Sequence, residues 1–172
     1  LNDNSPVLTS VTDFTIDENT SAVGTISGSD ADGDELAFSI NGTDADSLSI
    51  DSGSGVLSFN ETTDYETKTS YSLNLIISDG VNSVTNAATI SINNLNDNSP
   101  IFSSAETFSM AENESSIGTA SATDADTGSS VSYSVDNSVN QKVEVSVAAN
   151  ANGSGNVYVI SGVQKKSLFL EI

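Results

Sequence analysis

The chain has 172 residues, with 24 acidic side chains against four basic ones, a formal net charge of −20, and neither Cys nor His. The acidic excess excludes a basic nucleic-acid footprint, because phosphate binding needs Lys and Arg, and it disfavours anionic membrane surfaces. Without Cys or His there are no disulfide staples, thiol nucleophiles, imidazole bases or sites built on nitrogen and sulfur ligands.

In chain order, Leu1-Asn2-Asp3-Asn4-Ser5-Pro6 reads as a linker arriving from a preceding repeat. Strand signals follow near 7–16, 22–29, 36–40, 48–50, 56–59, 71–78 and 87–93. Leu36, Phe38 and Ile40 alternate with polar residues, as do Leu73, Leu75 and Ile77, and Ala88, Ile90 and Ile92. A period of two marks half-buried strands. Turn signals lie between them at Ala31-Asp32-Gly33-Asp34, Asn41-Gly42, Asp51-Ser52-Gly53-Ser54-Gly55 and Asp79-Gly80. No segment has the pattern of an amphipathic helix. The composition, rich in Ser, Thr, Asn, Asp and Gly, would also suit a disordered chain, but the alternation argues against that. Seven short strands in about 95 residues predict an immunoglobulin-like Greek-key sandwich. Its core should hold Phe38, Ile40, Leu73, Leu75, Ile77, Ile90 and Ile92.

The pattern then repeats. Leu95-Asn96-Asp97-Asn98-Ser99-Pro100 copies residues 1–6 at a shift of 94. At that shift Glu18 falls on Glu112, Gly24 on Gly118, and Asp30-Ala31-Asp32 on Asp124-Ala125-Asp126. Past one inserted residue, Phe38 matches Tyr133 and Ile40 matches Val135, and Leu73 to Ile77 match Leu168 to Ile172. This period is too long for a solenoid and suits tandem autonomous domains. The expected architecture is all-β, with two tandem seven-stranded sandwiches. The first spans 7–98 with a linker at 94–99, and the second, 100–172, is incomplete, lacking its last strand. The start at Leu1, without a signal peptide, reads as a segment of a longer protein. No apolar run approaches the roughly 18 residues of a membrane span, so no membrane insertion is expected in this segment.

The acidic side chains are unevenly spread, gathering at Glu18, Asp30/Asp32, Asp64/Glu66, Asp79 and Asp97. In strands, residues two apart share a face, so Asp64 and Glu66 would project together with Tyr65 turned inward, and Asp30 and Asp32 likewise. Two like charges about 4 Å apart cost on the order of 4 kcal/mol at a surface-like dielectric. Such clusters converging on one spot need a cation, and hard oxygen ligands alone point to Ca²⁺ ahead of Mg²⁺. Asp30-Ala31-Asp32-Gly33-Asp34 opens like an EF-hand loop, but Glu35 and Asn41 stand where that loop needs Gly and Glu, and no helices flank it. Asp34, Glu35, Asp44, Asp46, Asp51, Asp136 and Glu144 read as a solvated surface.

Five motifs in order carry a family resemblance: Asp17-Glu18-Asn19, Asp30-Ala31-Asp32, Asp64-Tyr65-Glu66, Asp79-Gly80, and Asn94-Leu95-Asn96-Asp97-Asn98-Ser99-Pro100. Together they resemble tandem cadherin repeats. Gly33-Asp34-Glu35-Leu36 looks closer to the bacterial cadherin-like modules of large surface adhesins. The resemblance implies calcium ions between consecutive repeats. Glu18, Asp64 and Glu66 would come from the upper repeat. Asn96, Asp97 and the carbonyls of Leu95 and Asn98 would come from the linker, and Asp124 and Asp126 from the lower repeat. Asn2, Asp3, Asn4, Asp30, Asp32 and Asp79 would form half of a preceding site. Asn94 departs from the Asp usual there. At a shift of 95, Asp64 and Glu66 fall on Val159 and Ser161, so the second repeat lacks that pair.

The resemblance implies an extracellular module, cell-surface or secreted, that calcium stiffens for adhesion or for service as a stalk. Its partners would be neighbouring repeats of the same chain, and another cell-surface protein or polysaccharide. The alternative is a calcium-dependent carbohydrate-binding module, with Tyr158 and Phe169 as exposed aromatics. Catalysis is not expected. Asp64 and Glu66 could pass for a glycosidase pair, but no nucleophile has a base beside it.

Overall fold

The computed structural model describes residues 2–104, 116–135, 143–146, 154–159 and 170–171. The chain divides into two compact units, Leu1–Leu95 and Asn96–Ile172.

The first unit holds nine strand segments: β1 (Val7–Leu8), β2 (Asp13–Asp17), β3 (Ala22–Thr25), β4 (Gly28–Ser29), β5 (Ala37–Asn41), β6 (Leu48–Ile50), β7 (Val56–Phe59), β8 (Ser70–Ser78) and β9 (Ser83–Asn93). A single 3-10 turn at Ala45–Ser47 joins β5 to β6. One sheet has the order β2-β9-β8-β5, the other β3-β7-β6, and β1 pairs with β4. All pairings are antiparallel except β2 with β9, which is parallel from Asp13↔Thr89 to Asp17↔Asn93. This is an immunoglobulin-like sandwich with Greek-key connections.

Two expected strands are interrupted. The stretch 7–16 breaks because the chain changes partners: Val7 and Leu8 pair with β4, the N–H groups of Thr9 and Ser10 both donate to Ser27 O, and β2 then joins β9. The stretch 22–29 breaks where Ile26 N–H donates to Gly55 O. Gly55 has φ +71°, and a Cβ there would lie 2.1 Å from Ile26 O, so this approach requires glycine. The last strand starts at Ser83 rather than 87, extending its ladder with β8 to Ser78↔Ser83.

The expected core forms. Leu75, Ile77 and Ile90 have no exposed surface, and Phe38, Leu73 and Ile92 are buried around them with Ile26, Leu48, Leu57 and Phe59. Ile40 is only partly buried, because β5 is the edge strand of its sheet.

The second unit's described strands are β10 (Ile101–Phe102), β11 (Ser116–Thr123), β12 (Ser134–Val135), β13 (Val143–Ser146), β14 (Ser154–Val159) and β15 (Leu170–Glu171). Their registers reproduce those of the first unit. Ile101↔Thr123 matches Val7↔Ser29, and Val135↔Leu170 matches Ile40↔Leu75. The bulge between Ala22 and Gly24 returns between Ser116 and Gly118. Gly118 pairs with Val157 where Gly24 pairs with Leu57. Val159 is therefore a residue of β14, the counterpart of β7, and not of the loop that carries Asp64. The described core is smaller: Ala120, Ala122, Val131 and Tyr133, with Phe102 against it. The Tyr133 hydroxyl accepts the Ala122 N–H at 2.9 Å. Glu112, Leu168, Phe169 and Ile172 lie outside the described residues, as does the side chain of Tyr158.

Candidate metal centres

Acidic side chains collect at both ends of the first sandwich. β9 runs the length of the unit, so Ser83 and Asn93 are about 33 Å apart at 3.3 Å per strand residue. Asp79 lies beside the first of these, and Glu18 beside the second.

At the Asn93 end, the parallel ladder delivers Asp17 next to Asn93, whose side-chain amide donates to Asp17 Oδ1 at 2.9 Å. The chain then turns through Asn19, which has φ +64°. Asn19 N–H donates to Thr63 O, and Thr63 N–H returns a bond to Thr20 O. This clamp sets Glu18 against the loop carrying Asp64 and Glu66. Glu18 is 1% exposed. Its Oε2 accepts the Tyr65 N–H at 2.9 Å and its Oε1 the Leu95 N–H at 2.7 Å. Asp64 and Glu66 sit on a turn, not on a strand as the spacing suggested. Lys68 N–H closes that turn on Asp64 O, and Tyr65 packs inward against the core. Carboxylate oxygens of Glu18, Asp64 and Glu66 all lie within 4.8 Å of one another. The Thr67 hydroxyl and N–H both donate to Asp64 and hold its carboxyl below the usual carboxylate range.

At the Ser83 end, Asp30, Asp32 and Asp34 form a second triad on the same criterion, in a bend after β4 rather than on a strand. Asp32 Oδ2 accepts the N–H groups of Asp3 (3.0 Å) and Asn4 (2.9 Å), and Oδ1 accepts the Asn4 amide at 2.9 Å. Those bonds, Asn4's first, lower the Asp32 pKa. Asp79 is buried, which works against its ionisation. The N–H groups of Asn82 and Val81, helped by the side chains of Asn82 and Asn2, outweigh that and lower its pKa. Asn2 donates its amide to Asp79 O at 3.2 Å. Asn2, Asp3, Asn4, Asp30, Asp32 and Asp79 are thus brought together.

The second unit repeats this arrangement from its own residues. Asn98 N–H donates to Asp126 Oδ2 and its amide to Asp126 Oδ1, both at 2.9 Å, as Asn4 does to Asp32. Asp126 N–H donates to Asp124 Oδ1 at 2.9 Å, as Asp32 does to Asp30 at 2.7 Å. The Asn98 amide also reaches Asp97 Oδ1 at 3.0 Å, and Asn96 Oδ1 accepts the Ser129 hydroxyl at 2.6 Å.

The structure moves two residues out of the expected solvated surface. Asp34 is half-buried beside Asp30 and Asp32. Asp44 is also half-buried and takes the Lys68 ammonium and, at 2.8 Å, the Ser72 N–H, with Lys68 the main cause of its lowered pKa. Sequence reasoning missed Asn82 as well. The signal was its place three residues after Asp79 in a turn marked by Gly80.

The residues at the Ser83 end fit a hard divalent cation. Asp30 Oδ2 and Asp34 Oδ2 have no accessible surface and no hydrogen-bond partner. Buried carboxylate oxygens without donors are costly unless something positive takes them. The donor set is oxygen only, which suits Ca²⁺.

Known proteins resemble the chain in sequence and in fold. No family model matches the chain. It is 36% identical over 147 residues to Protocadherin Fat 4 of Mus musculus, and 35% identical over 147 residues to that of Homo sapiens. The match covers 77% of this chain and spans 3% of the length of those proteins. The extracellular domain of Protocadherin GammaB4 superposes with a TM-score of 0.74 at 18% identity, over 99% of this chain and 32% of that one. Human Protocadherin-24 EC1-2 gives 0.72 at 21%, over 92% and 78%. The human Desmocollin-1 ectodomain gives 0.68 at 23%, over 94% and 34%. The chain is a tandem of cadherin repeats. Within each repeat the hydrogen-bonded Asn-Asp pairing on the Asp-Ala-Asp motif, Asn4 with Asp32 and Asn98 with Asp126, is the same piece of local chemistry used twice.

Proposed function

We propose that this segment is a calcium-stiffened module of an extracellular protein, serving adhesion or projecting an adhesive tip as a stalk, and not an enzyme. One observation carries this reading: carboxylates are gathered at each end of the first repeat, and the second repeat opens with the same arrangement, in a chain with neither His nor Cys. Repeat one is assigned to 7–98 and repeat two to 100–172, with 1–6 and 94–99 as linkers. Glu18, Asp64 and Glu66, with Asn96, Asp97, the Leu95 and Asn98 carbonyls, Asp124 and Asp126, would hold calcium at the junction. Asn2, Asp3, Asn4, Asp30, Asp32 and Asp79, joined by Asp34, would hold it at the start of repeat one.

The bound ion would supply positive charge shared among oxygens of both repeats. The residues do the rest. Each sandwich has its own core, so it folds without metal, whereas 94–99 has none. Without a cation the carboxylates repel, and the repeats are expected to splay. Small-angle scattering of the 172-residue chain should show a longer, narrower distance distribution in millimolar calcium than in chelator. Asp97→Ala should weaken calcium binding. An unchanged maximum dimension, or unchanged affinity in Asp97→Ala, would overturn the proposal.

A further inference from the structure

Asn82 closes the β8–β9 turn, and its backbone and side chain do separate things. The backbone builds the turn. Asn82 N–H donates to Asp79 Oδ1 at 2.6 Å, beside the Val81 N–H at 2.8 Å, and Asn82 O accepts the Ser78 hydroxyl at 3.0 Å and the Asp79 N–H at 3.2 Å. These bonds survive any substitution other than proline. The side chain leaves the turn for the linker. Its amide nitrogen donates to Asn4 O at 3.0 Å and lies 3.4 Å from Asp79 Oδ2 and 3.5 Å from Asn2 Oδ1. Three oxygens from two distant stretches of chain thus converge on one neutral NH₂ group.

We propose that Asn82 is a positioning residue for the cation site at the start of the first repeat, its side-chain amide holding the linker carbonyl of Asn4 against Asp79. The proposal rests on the calcium reading above and adds a residue that supplies no ligand. Three features support it. Asn4 is the residue whose N–H and amide grip Asp32, so the Asn82 bond to Asn4 O connects Asp79 to the Asp30/Asp32/Asp34 triad through two residues, Asn82 and Asn4. The short contact is to Asn4 O and the other two are long, so the amide engages one carbonyl firmly and leaves Asp79 Oδ2 and Asn2 Oδ1 weakly committed. A carbonyl oxygen has two lone pairs, so Asn4 O can accept this bond and still face a cation.

A neutral donor suits the task. Lys in its place would gather the same oxygens and also compete with the cation. Asp would add a fourth repelling oxygen. Groups that orient ligands from behind typically account for 10- to 100-fold in metal affinity.

The test compares the wild-type 172-residue chain with Asn82→Leu, which keeps the branched shape and removes the donor, and with Asn82→Ala. Calcium titrations are followed by NMR at Asp32 and Asp79 and, at the opposite end, at Glu18 and Asp64. Amide exchange of Asp3 and Asn4, both donors to Asp32, is measured in chelator. Both variants should raise the midpoint at Asp32 and Asp79 about 10-fold, leave Glu18 and Asp64 at the wild-type midpoint, and speed Asp3 and Asn4 exchange. Exchange at Leu75 and Ile90 should not change. A wild-type midpoint at Asp32 in Asn82→Leu overturns the inference. So does equal weakening at both ends with faster core exchange, which would mark general damage to the fold. If the wild type ignores millimolar calcium, the calcium reading falls, and unchanged Asp3 and Asn4 exchange in the variants would then overturn the positioning role separately.

Discussion

Replacing Glu18 by Gln separates its structural work from any metal ligation. Glu18 is almost fully buried, and each carboxylate oxygen accepts one backbone N–H, Leu95 at 2.7 Å and Tyr65 at 2.9 Å. Gln keeps the shape but offers one oxygen and one NH₂, so one of the two N–H groups then faces a donor. Hydrogen bonds to charged groups contribute about 1.5–3 kcal/mol each, and a stranded buried donor costs about 1–3 kcal/mol. Burying the carboxylate was itself unfavourable, which offsets part of the loss. The expected net destabilisation of the first repeat is about 2–3 kcal/mol. For a unit of about 95 residues that is roughly a 10–20 °C fall in melting temperature. The assay is native-state exchange of the Leu75 and Ile90 amides, which report the first repeat alone, with chelator in excess so that no ion contributes. If Glu18→Gln exchanges within about 0.5 kcal/mol of wild type under those conditions, the carboxylate is not a fastener between the 63–66 loop and the linker, and this reasoning fails.

Two further predictions follow from the same structure. Leu75→Ala, at a position with no exposed surface, should cost the first repeat about 2–5 kcal/mol in urea denaturation, and a loss under 1 kcal/mol would mean that its site is not tightly packed. Carboxyl titrations by NMR should place Asp32, Asp64 and Asp44 below the ordinary 3.8. Because their folded-state values are depressed, the stability they add is complete above about pH 5 and is lost as pH falls below about 4. Midpoints above 3.8 would contradict the bonding assigned to them.

The sandwich was legible because its strands obey a period of two over long stretches. Leu73, Leu75, Ile77, Ile90 and Ile92 fall on one face wherever the exact ends lie. What was not legible depends on partners distant in sequence. Nothing local says that the chain leaves β4 at Leu8 to lie parallel to β9. Nor does a shift of 95 at Val159 reveal that the segment before β14 is longer than its counterpart, which the register Gly118↔Val157 shows. The acidic motifs were readable as a set, but their geometry was not. Asp64 and Glu66 meet on a turn closed by Thr67 and Lys68, where strand alternation has no say. Asp34 looked like one more surface acid because its burial depends on how the bend after Asp30 folds back.

The manner in which these carboxylates are held bears on what they can do. Lys68, the one basic side chain among the described residues, is committed elsewhere, paired with Asp44 with its ammonium 4.6 Å from the Tyr71 ring centroid. The donors that gather the acidic clusters are neutral: backbone N–H groups of Asp3, Asn4, Tyr65, Val81, Asn82 and Leu95, and the amides of Asn2, Asn4 and Asn82. Neutral donors fix the geometry and favour the ionised state without cancelling the charge. A site assembled with ammonium groups would be satisfied alone, and a cation would have to displace them. Here the clusters keep their net negative charge while their oxygens are already close, two of them, Asp30 Oδ2 and Asp34 Oδ2, with no donor at all. An acidic surface shaped only for solubility would instead spread its charges and turn them to water. Preassembly by neutral groups with charge left over is the arrangement expected of a site that completes itself with a divalent ion.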